Sequence, residues 1–136
     1  MSGGQLVSFH REELVRIGIV HASAVVDTES MRDFGETVVR YIEKRPGIWL
    51  LLNFENVQYL SSAAITELIR INDAVKKAGG HLQICGLSKD IYKIFKLTNM
   101  HKLLPLNHRD HPHKATEKFV RAASVSKEDR EFEARR

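Results

Sequence analysis

Two adjacent serines, Ser61 and Ser62, stand between a short polar loop and an apolar helical segment, and they are the strongest candidates for chemistry in the chain. A serine at a helix start ordinarily accepts hydrogen bonds from the backbone N–H groups left free there. The same position, at the partly positive end of the helix dipole, also suits an added phosphate. A phosphoryl group brings nearly two negative charges, enough to break a fitted interface by repulsion and desolvation. Spacing alone leaves both roles open. Asn53 and Glu55 lie just upstream, at the carboxyl end of an apolar strand, where α/β proteins place their sites.

Other constellations carry less. His108, His111 and His113 fall beside Pro112 in a polar segment, without the spacing of a helical ligand pair, and an exposed, ligand-free tract is expected. His10, His21, His81 and His101 are scattered. Neither a Gly-x-Ser-x-Gly elbow nor a glycine-rich phosphate loop is present, and Gly79-Gly80 precedes a strand instead of following one. The single cysteine, Cys85, can form no internal disulfide and anchors no metal cluster. These absences lead us to expect neither catalysis nor any cofactor or metal.

The 136 residues and 43% hydrophobic content suit one domain with a sizeable core. A net charge of +4, from 21 basic and 17 acidic residues, forms no basic stripe, which argues against nucleic acid as a partner. The longest apolar run, Ile48 to Leu52, is too short to span a bilayer, and Met-Ser-Gly-Gly-Gln lacks the features of a signal peptide. A cytoplasmic protein is expected, with no membrane partner.

The elements that must position the serines follow from periodicity. Residues 1–5 are expected to be disordered. Leu6 to Arg11 and Leu14 to His21 read as strands joined by a turn at Arg11–Glu13, with Val15, Ile17 and Ile19 on one face. A helix over 29–45 places Met31, Phe34, Val38, Tyr41 and Ile42 together, capped by Ser30 with Asp33, or else by Asp27 or Thr28. Ile48 to Leu52 reads as a strand covered on both faces. A second helix carries Ala64, Ile65, Leu68, Ile69, Ile71 and Val75 and ends at Gly79-Gly80. His81 to Cys85 is a strand, Ser88 caps a third helix with Ile91, Ile94 and Phe95 as its buried stripe, and Leu103 to Leu106 is a last short strand. Ala115 to Ala123 reads as an amphipathic helix, with a frayed or solvated continuation. This alternation predicts an α/β fold, with a mostly parallel mixed sheet of four to five strands and helices packed on it.

Tyr59-Leu-Ser-Ser-Ala-Ala, followed by an apolar helix, Gly79-Gly80, a strand ending Cys85-Gly-Leu-Ser88, and Ile94-Phe-Lys-Leu-Thr98, resembles the STAS domain of bacterial anti-sigma factor antagonists. The resemblance covers about residues 6–106 and implies a single STAS-like domain, leaving 107–136 as a charged extension, partly helical or disordered. It implies a non-catalytic binding module in transcription regulation, which sequesters an anti-sigma factor with serine kinase activity and is switched off when that kinase phosphorylates Ser62. Asp27, Glu55, Tyr59, Leu60, Ser61, Ser62 and Ala63 would form the partner surface. Leu60 stands where the family usually has an acidic residue, Ala63 where it has glycine, and Asn99-Met100 replaces a glycine-containing turn. Those departures also fit a second role, an unphosphorylated STAS scaffold or a subunit of another assembly such as a lipid transporter. Neither the sigma factor nor the oligomeric state is written in the sequence.

Overall fold

The five residues from Trp49 to Asn53 have no polar face to turn to water, and the chain places them at the centre of the molecule. In the computed structural model, which describes residues 6–22 and 27–135, the order is β1 (Val7–Glu12), β2 (Val15–Val20), α1 (Thr28–Glu43), β3 (Trp49–Asn53), α2 (Ser62–Lys77), β4 (His81–Cys85), α3 (Lys89–Leu97), a 3₁₀ turn (Met100–Lys102) and α4 (Pro112–Ala134). The expected disorder of residues 1–5 lies outside the described residues. The sheet runs β1-β2-β3-β4, with β1 antiparallel to β2 and the other two pairings parallel. Ile19, Asn53 and Cys85 stand side by side at the carboxyl ends of three parallel strands.

Both faces of β3 are covered. Leu50 and Leu52 meet Phe34, Val38 and Ile42 of α1 and Leu68, Ile71 and Val75 of α2 in the main core. Leu51 faces the other way, onto a smaller cluster with Val15, Ile17, Cys85 and α4's Ala115, Phe119 and Ala123. The Trp49 and Phe119 rings lie 5.1 Å apart there. Parallel neighbours need crossover helices, and α1 and α2 supply them on one face, leaving the opposite face for the last helix.

Several elements differ from their sequence expectation. The strand expected at Leu103–Leu106 shrinks to one parallel bridge, Ile84 to Leu106. Pro105 has no N–H to extend a ladder, and after the amide of Asn107 donates to Ile84 the chain turns away. Asn107 makes that turn, its Oδ1 accepting from the amides of Arg109 and Asp110 at 3.3 and 3.1 Å. The first cap is Asp27, whose carboxylate accepts from the Ser30 amide at 2.7 Å, so the Ser30 and Asp33 box is not used. Gly79 takes the left-handed conformation after α2, with φ +69°, and a Cβ on Gly80 would collide with the Ile48 carbonyl oxygen. The last helix starts at Pro112, three residues before the expected Ala115, because proline suits a first helical turn. It also continues past Ala123 to Ala134.

Phe119 is the main apolar contribution of α4 to the sheet. Phe119→Ala is expected to lower unfolding stability by about 3 kcal/mol, whereas Glu128→Ala, on the exposed half, should stay within about 0.5 kcal/mol. Urea denaturation of the two variants measures the difference.

Candidate functional site

Because β2, β3 and β4 run parallel, the segments that follow them leave from one edge of the sheet. Asp27, Asn53 to Ser62, and Gly86 to Ser88 therefore share that edge. Part of the first segment, residues 23–26, lies outside the described residues. Asp27 is spent on capping α1, and the Ser30 amide holds its carboxyl below the usual carboxylate range. It makes no hydrogen bond to either serine among the described residues.

The loop between β3 and α2 is pinned by its apolar residues and closed by its polar ones. Phe54, Val57 and Leu60 are buried, while Tyr59 between them is 68% exposed. Leu60, one of the expected partner contacts, turns its side chain into the core. Asn53 and Glu55 bond reciprocally: the Asn53 amide donates to Glu55 Oε1 at 3.0 Å, and the Glu55 N–H donates to Asn53 Oδ1 at 2.9 Å. The Phe54 amide donates to the Cys85 carbonyl at 2.9 Å, which ties the loop to β4. Gly86, with φ +75°, lies against this turn, and a Cβ there would come within 2.6 Å of Asn53 Oδ1 and 2.7 Å of the Glu55 nitrogen.

The two serines occupy different positions at the start of α2. Ser61 occupies the cap position with extended backbone, and its carbonyl accepts from the Ala64 amide at 3.0 Å. Its hydroxyl, contrary to the capping expectation, makes no cap bond. Ser62 is the first helical residue and is exposed. No acidic residue lies in the first turn of α2, so the positive end of the helix has no side-chain counterpart there. Ala63 is half-buried against the main core.

A small apolar cleft of about 170 Å³ opens beside the serines, between Leu60, Ser61, Ser62 and Ile65 on one side and Ile91, Ile94 and Phe95 of α3 on the other. Sequence reasoning assigned Ile94 to the buried stripe of α3, yet it is 44% exposed, at the margin of this cleft. Ile94 and Phe95 lie three and four residues after Ile91, so both share its face by spacing and periodicity alone does not separate the exposed one from the buried one. Gly86 was missed as well, since nothing local marks which backbone it must approach. Among the described residues no group of His, Cys, Asp and Glu could hold a metal ion. The tail histidines are accordingly not gathered into a site, and His108 stacks on Tyr92 with ring centroids 3.9 Å apart. Among the described residues no helix is long and apolar enough to cross a membrane.

The STAS domain family model matches residues 9–115, and the chain belongs to this family. No curated protein sequence is significantly similar to it. Among solved structures, an anti-sigma-factor antagonist (STAS) domain protein from Planctomyces limnophilus matches with a TM-score of 0.69 at 16% identity, covering 84% of this chain and 97% of its own. A candidate anti-sigma factor antagonist from Thermotoga maritima matches at 0.68 and 15%, covering 83% and 93%. A variant of RsbS from Moorella thermoacetica also matches at 0.68 and 15%, covering 88% and 99%. The chain is thus a STAS domain whose fold is that of anti-sigma factor antagonists.

Two predictions follow from the packing at this edge. Burial, with the Glu55 charge second, pushes the Cys85 thiol up to about 12, so it stays protonated and non-nucleophilic near neutral pH. A thiol reagent at pH 8 should label Cys85 only as fast as the chain opens, and rapid labelling of the folded protein would contradict this. Gly86→Ala should cost about 1–3 kcal/mol, the range for a strained backbone. Its largest amide chemical-shift changes should fall at Asn53 and Glu55.

Proposed function

We propose that this chain is an anti-sigma factor antagonist, a binding module that docks the sheet edge carrying Asp27, Glu55, Tyr59, Ser61, Ser62 and Ala63 against an anti-sigma factor with serine kinase activity. The observation that carries the proposal is Ser62, exposed at the first position of α2, with no acidic side chain in that turn. The kinase transfers the γ-phosphoryl group of ATP to Ser62 Oγ, with loss of the hydroxyl proton and release of ADP. The chain is the substrate in that step and catalyses nothing. The added charge stands at the mouth of the apolar cleft, so a partner surface that fitted the unmodified edge must desolvate a dianion to stay. The complex breaks and the sigma factor is sequestered again. This reading places the protein in the bacterial cytoplasm, with neither nucleic acid nor membrane as a partner.

The buried Leu60, in the place of the family's usual acidic residue, favours a second reading. Without that surface charge the kinase loses one polar handle, and the domain would serve as a constitutive scaffold or as a subunit of another assembly, such as one for lipid transport.

Intact-mass measurement after incubation with ATP and the kinase encoded nearby separates the two. The first reading expects one phosphate, absent in Ser62→Ala and retained in Ser61→Ala. It also expects Ser62→Asp to bind the kinase at least about tenfold more weakly than wild type, or about 1.4 kcal/mol. Equal binding by Ser62→Ala and Ser62→Asp would overturn the switch and leave the scaffold.

A further inference from the structure

The last helix carries a pattern that neither the sheet nor the serine edge uses. Ala115, Phe119 and Ala123 face the sheet, and a quarter-turn away a second stripe runs through Ala122 and Val125. Val125 is 50% exposed, and a shallow depression of about 590 Å³ lies along this flank, bordered by Arg121, Ala122, Val125, Ser126 and Asp129. From Lys127 to Arg135 every residue is exposed. Helical segments shorter than about 12–15 residues are marginal in water without packing.

The charges are laid out in the reverse of what a solitary helix favours. Residues 112–123 hold three basic residues, Lys114, Lys118 and Arg121, against Glu117 alone, while 124–134 hold four acidic residues against Lys127 and Arg130. The first turn has no acidic residue and the last turn no basic one before the C-cap, Arg135, although the helix dipole favours acids first and bases last. An antiparallel neighbour of the same sequence removes that mismatch, because each basic half then lies over an acidic half. A parallel copy would stack like on like. The complementarity lies within one helix, which selects a second copy over an unrelated partner.

We propose that two copies of this chain associate through α4, antiparallel across a two-fold axis near Val125. The interface is isologous: Val125 packs on Val125 of the second copy, and Arg121 meets its Asp129, four residues from the axis on either side. Neither Arg121 nor Asp129 takes part in an ion pair among the described residues, so both are available. The serine edge does not take part, and a pair would offer two such edges to partners.

Sedimentation of the full chain from low micromolar to near-millimolar concentration tests this. The average mass should rise from 15.5 kDa towards twice that value, and added salt should weaken the association. Arg121→Asp and Asp129→Arg should each weaken it at least about tenfold, as opposed like charges do at an interface. The two together should bring it back to within about threefold of wild type, as a direct coupling requires. Val125→Lys, on the axis, should abolish it, and circular dichroism checks that each variant is folded. A monomer at every concentration, a dimer indifferent to both single swaps, or a double swap without recovery would each overturn the proposal.

Discussion

A strand with no polar face has to be covered on both sides, and the architecture follows from that requirement on β3. Leu50 and Leu52 require helices on one face and Leu51 requires one on the other. Fully burying a leucine side chain is worth about 1.5–3 kcal/mol, so either face left open would lose several such contributions together. Crossovers from β2 and to β4 supply α1 and α2, and both crossovers force parallel pairing. Parallel pairing in turn sends the loops after β2, β3 and β4 out of the same edge. The position of the serine loop is therefore a consequence of the core.

At that edge the loop is held from below and shaped from within. Phe54, Val57 and Leu60 anchor it at three points while the reciprocal bonds of Asn53 and Glu55 fix its first turn. Gly86 allows β4's exit to pass close enough for the Phe54 amide to reach the Cys85 carbonyl. What emerges above these anchors is a short shelf of exposed Tyr59 and Ser62 with half-buried Ser61. Loops that carry function are positioned by rigid scaffolds, and here the scaffold reaches into the loop itself.

The sequence made the layers legible because periodicity reports burial. The unbroken run at Ile48–Leu52, the helical spacing of Met31, Phe34 and Val38, and the alternation of His81–Cys85 each found their predicted place. Legibility failed where a tertiary partner decides. Leu103 to Leu106 has strand-like composition, but Pro105 and the Asn107 turn limit it to one bridge. Ser61 sits at the cap by backbone conformation, yet its hydroxyl is not used for capping, a rotamer outcome that spacing does not encode. The length of α4 was hidden for another reason. Its second apolar stripe and reversed charges blur the single-face pattern by which a surface helix is recognised.

The unused cap bears on what a phosphate at Ser62 would do. A hydroxyl or carboxylate already bonded to the free amides would compete with a new anion, and α2 has neither in its first turn. The attraction between that helix end and a phosphate is still small, about 0.3–1 kcal/mol at an exposed site, against a folding stability of about 5–15 kcal/mol. Phosphorylation would thus leave the fold almost unchanged. Its effect would fall on whatever covers the apolar cleft, because displacing water from a dianion costs several kcal/mol and Ile65, Ile91 and Ile94 beside it offer no hydrogen bond in return. A phosphate placed there would act on the surface and leave the core packed as it is.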